Sequence, residues 1–353
     1  MSLSQTERTS MRRIHVPFLM ITLTLIIAGC AKPPAAATPG TGPEVRQVSM
    51  RLQWFAQYQF AGYIVAKVKG YYQEAGLDVT LNPGGPDLVP LPLVASGKDT
   101  FGSTGADTIL TSREQDIDVV ALSTWFQTSP VAFMVHSDSN IHGPQDFPGH
   151  TIGMFYGDNV ETEYLALLAA TGVSREAITE IPGDFSLAPF LQRRADIWPV
   201  YATDQPNTAR REGATISLIV ARDYGVQLMG DVLFTSATFA RENPNTVRAF
   251  VSATLRGWAY AISNPKETVD LIVAYNPDLN KDQLTFEANE TIKLITYGMG
   301  KLCPGYNNLA VWESEAKLLK DLAILKAPAT LDAALDNTYV SQYYTDKGVN
   351  CVE

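Results

Sequence analysis

Flat rings and carboxamides, rather than nucleophiles or metal ligands, are the groups in this sequence best placed to do chemistry. Trp54, Gln57, Tyr58 and Phe60 fall within seven residues, and Trp125 and Phe126 follow an apolar run. Tyr156 precedes Asp158 and Asn159, and Tyr201 opens the segment Tyr-Ala-Thr-Asp204-Gln205-Pro. Ring faces sandwich a planar heterocycle, adding roughly 0.5–1.5 kcal/mol per stacked pair beyond area burial. A few amides and carboxylates then fix its orientation. Thr104 and Asp107 flank a helix start whose free backbone N–H groups suit a polar or anionic group, although Asp107 serves equally as a cap. The four histidines, at 15, 136, 142 and 150, show no HExxH or paired-ligand spacing. No GxSxG elbow, Walker loop or cysteine cluster is present. The expectation is a binding protein, not an enzyme, with no catalytic residues, no metal and no cofactor.

The elements that must position these groups alternate between strand and helix, which predicts an α/β fold. A short strand ends at Trp54, a helix starts near Ala61 and stops at Gly76, and residues 77–81 alternate as a second strand. The rings and amides therefore lie just past strand ends, where an open α/β sheet receives its ligand. The same placement recurs after residues 119–124, 151–156 and 195–201. The run 131–135 marks a first crossover and 231–235 a returning one. Residues 48–134 and 236–353 form the expected first lobe, and 135–235 the second. A helix over 245–263 carries an apolar stripe of Val247, Phe250, Val251, Leu255 and Trp258, read as packing.

The N-terminus reads as a targeting segment. Arg8, Arg12 and Arg13 precede an apolar run that closes with Ile27-Ala-Gly-Cys30. That run is too short for a comfortable membrane span. A start at Met11 gives a more usual signal than Met1, and both remain open. Cysteine after Ala-Gly resembles the bacterial lipobox, which implies cleavage after residue 29 and a diacylglycerol on Cys30. Residues 30–47, rich in Pro, Gly and small side chains, read as a flexible tether. About 324 residues then remain of 353, enough for two lobes. Loss of three arginines and one glutamate with the signal takes the net charge from −10 to −12, which argues against a nucleic-acid partner. Besides Cys30 only Cys303 and Cys351 occur, either one disulfide or two buried thiols.

Several stretches resemble a known family. They are Leu52-x-Trp54, Gly62, Ala66, Gly70-Tyr-Tyr72, Gly76-Leu-Asp-Val79, Val94-Ala-Ser-Gly-Lys-Asp99 and Phe101-Gly-Ser-Thr-Gly-Ala-Asp107. They are similar to the opening of periplasmic-type substrate-binding proteins of ABC importers. The branch is the THI5/NMT1-like, thiamine-pyrimidine and riboflavin-binding one, related to the sulfonate and nitrate binders. The likeness is good over residues 48–240 and loose beyond. It implies a type II-like two-lobed fold with two hinge crossovers, an interlobe ligand cleft, a permease partner and a monomer on the extracytoplasmic face of the cell membrane. The enzymes resembling this branch use a cysteine-rich iron motif that this chain lacks, and a sensor ectodomain would carry a membrane span and signalling domain.

Relatives commonly show Tyr-x-Thr-Asn-Glu-Pro where this chain has Tyr201-Ala-Thr-Asp204-Gln205-Pro. A carboxylate suits an aminopyrimidine, whereas an amide, which donates and accepts, matches the imide edge of a flavin. The expected ligand is therefore a small aromatic heterocycle, riboflavin ahead of a thiamine-precursor aminopyrimidine. Asp204 supplying the carboxylate, or Gln205 bonding its own turn, stands against that order. Nitrate and sulfonate fit less well, because no lysine or arginine stands at the strand ends.

Overall fold

The computed structural model describes residues 42–184 and 186–351. The expected signal, Cys30 and most of the tether lie outside the described residues. The strands are β1 (Gln47–Arg51), β2 (Asp78–Asn82), β3 (Phe101–Thr104), β4 (Val119–Phe126), β5 (Val131–His136), β6 (Thr151–Met154), β7 (Thr179–Pro182), β8 (Ile197–Tyr201), β9 (Ile216–Ile219) and β10 (Gly230–Ser236). They build two five-stranded sheets, ordered β2-β1-β3-β10-β4 and β7-β6-β8-β5-β9. The two orders match position for position. In each sheet the fourth strand is antiparallel to both neighbours, and it is the first strand made after the chain crosses between lobes. Apolar clusters cover both faces of both sheets, so each lobe is a helix–sheet–helix sandwich.

The crossovers lie a few residues from where the sequence suggests. All of β5 belongs to the second sheet and all of β10 to the first, so the chain crosses at residues 127–130 and 220–229. The expected boundaries at 134/135 and 235/236 would have split both strands. A run buried on both faces, as β5 is, reads alike as the central strand of either lobe. The two crossings touch: Ser129 N–H donates to the Leu228 carbonyl at 2.7 Å.

The first helix is also divided. It runs Ala61–Val68, and a separate turn of helix covers Tyr71–Glu74. Gly70 sits between them at φ +77°, a left-handed conformation that suits glycine. The Ala61–Val68 helix packs on the Pro244–Ser263 helix through two glycines. A Cβ on Gly257 would lie 2.0 Å from the Gly62 carbonyl oxygen, and one on Gly62 would lie 2.2 Å from the Trp258 ring. Gly257→Ala must therefore push the two backbones apart, with a loss of about 2–3 kcal/mol expected in chemical denaturation. An unchanged midpoint would show that the crossing relaxes freely.

After the Pro244–Ser263 helix the chain is mostly helical and returns to the first lobe. Segments near Gly305 and Leu335 bridge to β4 at Thr124 and Ala121, covering its outer edge. Cys303 and Cys351 are disulfide-bonded and buried within the first-lobe core. Among the described residues no helix is long and apolar enough to cross a membrane.

Candidate functional site

A cleft of about 310 Å³ lies between the two sheets, within the range of about 300–1,000 Å³ usual for ligand sites. Equivalent places in the two lobes line it. The first lobe contributes the loop after β1, with Gln53, Trp54 and Gln57, and the segment after β3, with Thr104, Gly105 and Thr108. The second lobe contributes Phe155, Asp158 and Asn159 after β6, and Tyr201, Asp204 and Gln205 at the end of β8. These are the carboxyl ends of the second and third strands in each sheet order, β1 and β3 in one and β6 and β8 in the other. A more open depression of about 570 Å³ at His136–Asp138 and Arg193 is remote from these strand ends and involves none of the site residues expected from the sequence.

Of the rings expected in the site, Trp54 and Tyr201 reach the cleft wall. Tyr58 and Phe60 are fully buried, in the short 3-10 turn Tyr58–Phe60 and the first-lobe core. The Tyr58 hydroxyl donates to the Ala261 carbonyl at 2.9 Å. Trp125 and Phe126 are likewise core residues, because β4 runs two residues further than its apolar run suggests. Trp125 packs against Trp258 with ring centroids 5.3 Å apart. Tyr156 is 54% exposed, and its hydroxyl donates to Glu180. Its neighbour Phe155 lines the cleft instead, edge-on to Trp198 at 5.9 Å. Since β6 ends at Met154 rather than at Tyr156, the ring facing the cleft shifts by one position.

The polar groups are largely engaged with one another. Asn159 Nδ2 donates to the Tyr201 hydroxyl at 2.9 Å, leaving the phenolic hydrogen for another acceptor. Asp158 caps the Asn159–Thr171 helix, accepting from Val160 N–H at 2.8 Å, and burial pushes its carboxyl up to about 6. Asp107 lies off the cleft wall, and its carboxylate accepts from Thr108 N–H at 2.8 Å. The starts of the Ala106–Glu114 and Asn159–Thr171 helices, natural anion sites, both open at the cleft. Each already carries one of the protein's own carboxylates. No lysine or arginine is among the described lining residues.

Gln205 does not present the free amide that the imide-edge argument requires. Its Oε1 accepts from the Tyr201 backbone N–H at 2.8 Å, and its Nε2 donates to Asp204 at 3.1 Å. The amide closes its own turn and keeps one N–H to offer. Gln283, on the Lys281–Ile295 helix of the first lobe, donates to Asp204 Oδ1 at 2.9 Å and accepts from Asn207 at 2.8 Å. These bonds tie the second lobe to the first beside the cleft. Burial pushes the Asp204 carboxyl up to about 6, against the Gln283 donor.

Among the lining residues outside the expected site set are Phe155, Gln53 and Gln59, and an apolar stretch at Pro86, Leu88, Val89 and Pro90. Both glutamine amides donate to the buried Asp231 carboxylate at the start of β10, Gln59 at 2.9 Å. Burial pushes the Asp231 carboxyl up to about 7, and the two glutamine donors oppose that rise. The local clue was the Gln57-x-Gln59 spacing, but nothing in sequence joins it to a residue 172 positions away.

A sequence profile described as NMT1/THI5 like matches residues 57–268. The chain belongs to that family. Within reach of it lies the riboflavin-binding protein RibY of Chloroflexus aurantiacus, 28% identical over 350 residues, covering 94% of this chain and 99% of the relative. A formylaminopyrimidine-binding protein of Halalkalibacterium halodurans is 24% identical over 275 residues, covering 77% and 82%. Among solved structures, the periplasmic aliphatic sulphonate binding protein SsuA of Escherichia coli superposes with a TM-score of 0.67 at 14% identity, over 83% of this chain and 92% of that one. The fold is the two-lobed, periplasmic-binding-protein fold that the family resemblance implies.

Proposed function

We propose that the protein captures riboflavin in the interlobe cleft, outside the membrane, and delivers it to an ABC importer. The observation that carries this reading is the cleft itself. Rings from both lobes line it, Trp54 from the first and Phe155 and Tyr201 from the second, and no cationic side chain is among the described lining residues. Rings from two lobes suit both faces of a planar, uncharged heterocycle when the lobes close. A sulfonate or nitrate would meet helix starts already occupied by Asp107 and Asp158. The full-length similarity to a riboflavin-binding relative points the same way. In this reading the protein acts as a monomer without catalysis or nucleic-acid contact, anchored through a lipid on Cys30; the tether, expected over residues 30–47, ends before Glu44, which accepts from Thr246 N–H, and β1 already begins at Gln47.

An aminopyrimidine ligand is the second reading, favoured by Asp204, a carboxylate on the cleft wall. Both of its oxygens, however, already accept from Gln205 and Gln283. Flavin fluorescence titration separates the two readings. Trp54→Ala and Phe155→Ala are each expected to weaken riboflavin binding about tenfold, while Tyr156→Ala leaves it unchanged. Riboflavin affinity indifferent to both ring deletions, or an aminopyrimidine bound in its place, would overturn the flavin reading.

A further inference from the structure

We infer that Leu88 and Val89 are specificity-determining residues, forming with Pro86 and Pro90 an apolar wall at one end of the cleft that takes the methyl-bearing benzenoid end of a fused-ring ligand. The inference rests on the flavin reading above and adds which way round the ligand lies and what separates it from a single-ring pyrimidine.

The wall stands at the outer edge of the first sheet, just past β2. Leu88 and Val89 are adjacent, 43% and 59% exposed, and on the wall of a cleft. Scattered apolar side chains in solvent are ordinary, but a contiguous apolar stretch in a concave wall marks a surface that a ligand covers. Its backbone is held in place. Gly84 N–H donates to the Trp54 carbonyl at 2.9 Å, and a Cβ on Gly84 would lie 2.3 Å from the Leu52 carbonyl oxygen, so the turn rests directly on the end of β1. Leu88 N–H closes the turn on the Gly85 carbonyl at 3.1 Å, and prolines at 86 and 90 stiffen its flanks. A backbone fixed in this way has little freedom left to lose when a ligand covers it.

The hydrogen-bonding groups collect at the other end. Gln53 and Gln59 donate to Asp231 at the start of β10, three strands across from β2, or about 14 Å at the usual strand spacing. Gln57 bonds to Gln59. From the second lobe, Asp204 accepts from Gln283, on the same helix whose Glu287 accepts from the Tyr58 N–H, between Gln57 and Gln59. The polar groups of both lobes therefore lie together, and the glutamine amides keep both N–H hydrogens and carbonyl oxygens to offer. Trp54, just past β1, comes from between the two ends. A flavin is built in the same order, with a dimethylbenzene ring at one end of the tricycle and an edge that donates and accepts at the other. An aminopyrimidine has only the second end and would leave Leu88 and Val89 bare.

The test titrates the intact protein with riboflavin and with 7,8-didemethylriboflavin, which lacks only the two ring methyl groups. The unaltered protein is expected to bind the stripped flavin about tenfold more weakly, the loss for two methyl groups left without an apolar wall to bury them. A Leu88→Ser, Val89→Ser protein, altered only at exposed side chains, is expected to keep its thermal midpoint. It should bind riboflavin about tenfold more weakly than the unaltered protein, and the two flavins within about threefold of each other. A general loosening of the cleft would weaken both flavins alike and leave their ratio unchanged. Equal binding of the two flavins by the unaltered protein overturns the inference, and this arm decides the matter even if the variant does not fold. So does a double variant that keeps the original ratio. Failure of the unaltered protein to bind riboflavin at all overturns the ligand reading itself, a distinct outcome.

Discussion

Glu287→Gln is expected to raise the stability of the protein by roughly 3–5 kcal/mol at pH 8 and by under about 1 kcal/mol at pH 5. Glu287 lies on the Lys281–Ile295 helix, 4% exposed, and its Oε2 accepts from the Tyr58 backbone N–H at 2.9 Å. Burial pushes its carboxyl up to about 8, and the nearby Asp204 adds to the rise, while the Tyr58 and Gln283 donors oppose it. The folded state therefore holds the proton more tightly than the unfolded chain. The resulting stability is complete below the unfolded value, near 4.5, and is lost as pH rises through about 8. Glutamine mimics the protonated acid and keeps an oxygen for Tyr58. Glu163, also pushed up to about 8 by burial, and Asp231 at about 7 have the same sign. The unaltered protein should accordingly melt at a lower temperature at pH 8 than at pH 5. Equal gains from Glu287→Gln at both pH values would show that this carboxyl is ionised in the fold at little cost.

Removing the Cys303–Cys351 bridge is expected to cost about 4 kcal/mol, from closure of a loop with a sequence separation of 48. The bridge fastens the last part of the chain to the first lobe. Around it, the Tyr344 hydroxyl donates to the Pro304 carbonyl at 2.8 Å, and Asn337 pairs with the Asn307 backbone as both donor and acceptor. Those contacts hold the segment that covers the edge of β4. No residue between 303 and 351 lines the cleft, so ligand affinity should persist while stability falls. Denaturation of the Cys303→Ser, Cys351→Ser protein, with and without reductant, reads this directly. Reductant should lower the midpoint of the unaltered protein and leave the double variant alone. A midpoint unmoved by reduction would mean that neighbouring contacts already hold the terminus.

Local pattern made the alternation of strands and helices, the lobed architecture and half of the site legible. Trp54, Asn159, Tyr201 and Asp204 sit at or just past strand ends, and strand ends follow from short apolar runs bounded by polar residues. The misplaced rings failed for one shared reason. Whether Trp125 is the last core residue of β4 or the first of a loop depends on what covers it, and its cover comes from Trp258 and Gly305, far along the chain. Phe155 and Tyr156 are adjacent, and because β6 ends at Met154 the first residue past the strand, the one on the cleft, is Phe155 rather than Tyr156. The role of Gln205 was open for a related reason, since a side chain that closes its own turn and one that meets a ligand have the same sequence. Gln53 and Gln59 were illegible because Asp231, which orients them, joins them only through the fold.

Calorimetric titration of the protein with riboflavin is the most direct test of the central claim, that a flat, uncharged heterocycle is held between the two lobes. The account predicts saturable binding of one riboflavin per chain, undisturbed by excess nitrate or alkanesulfonate. Absence of heat and of flavin quenching with riboflavin, together with saturable binding of a sulfonate or nitrate, would contradict it.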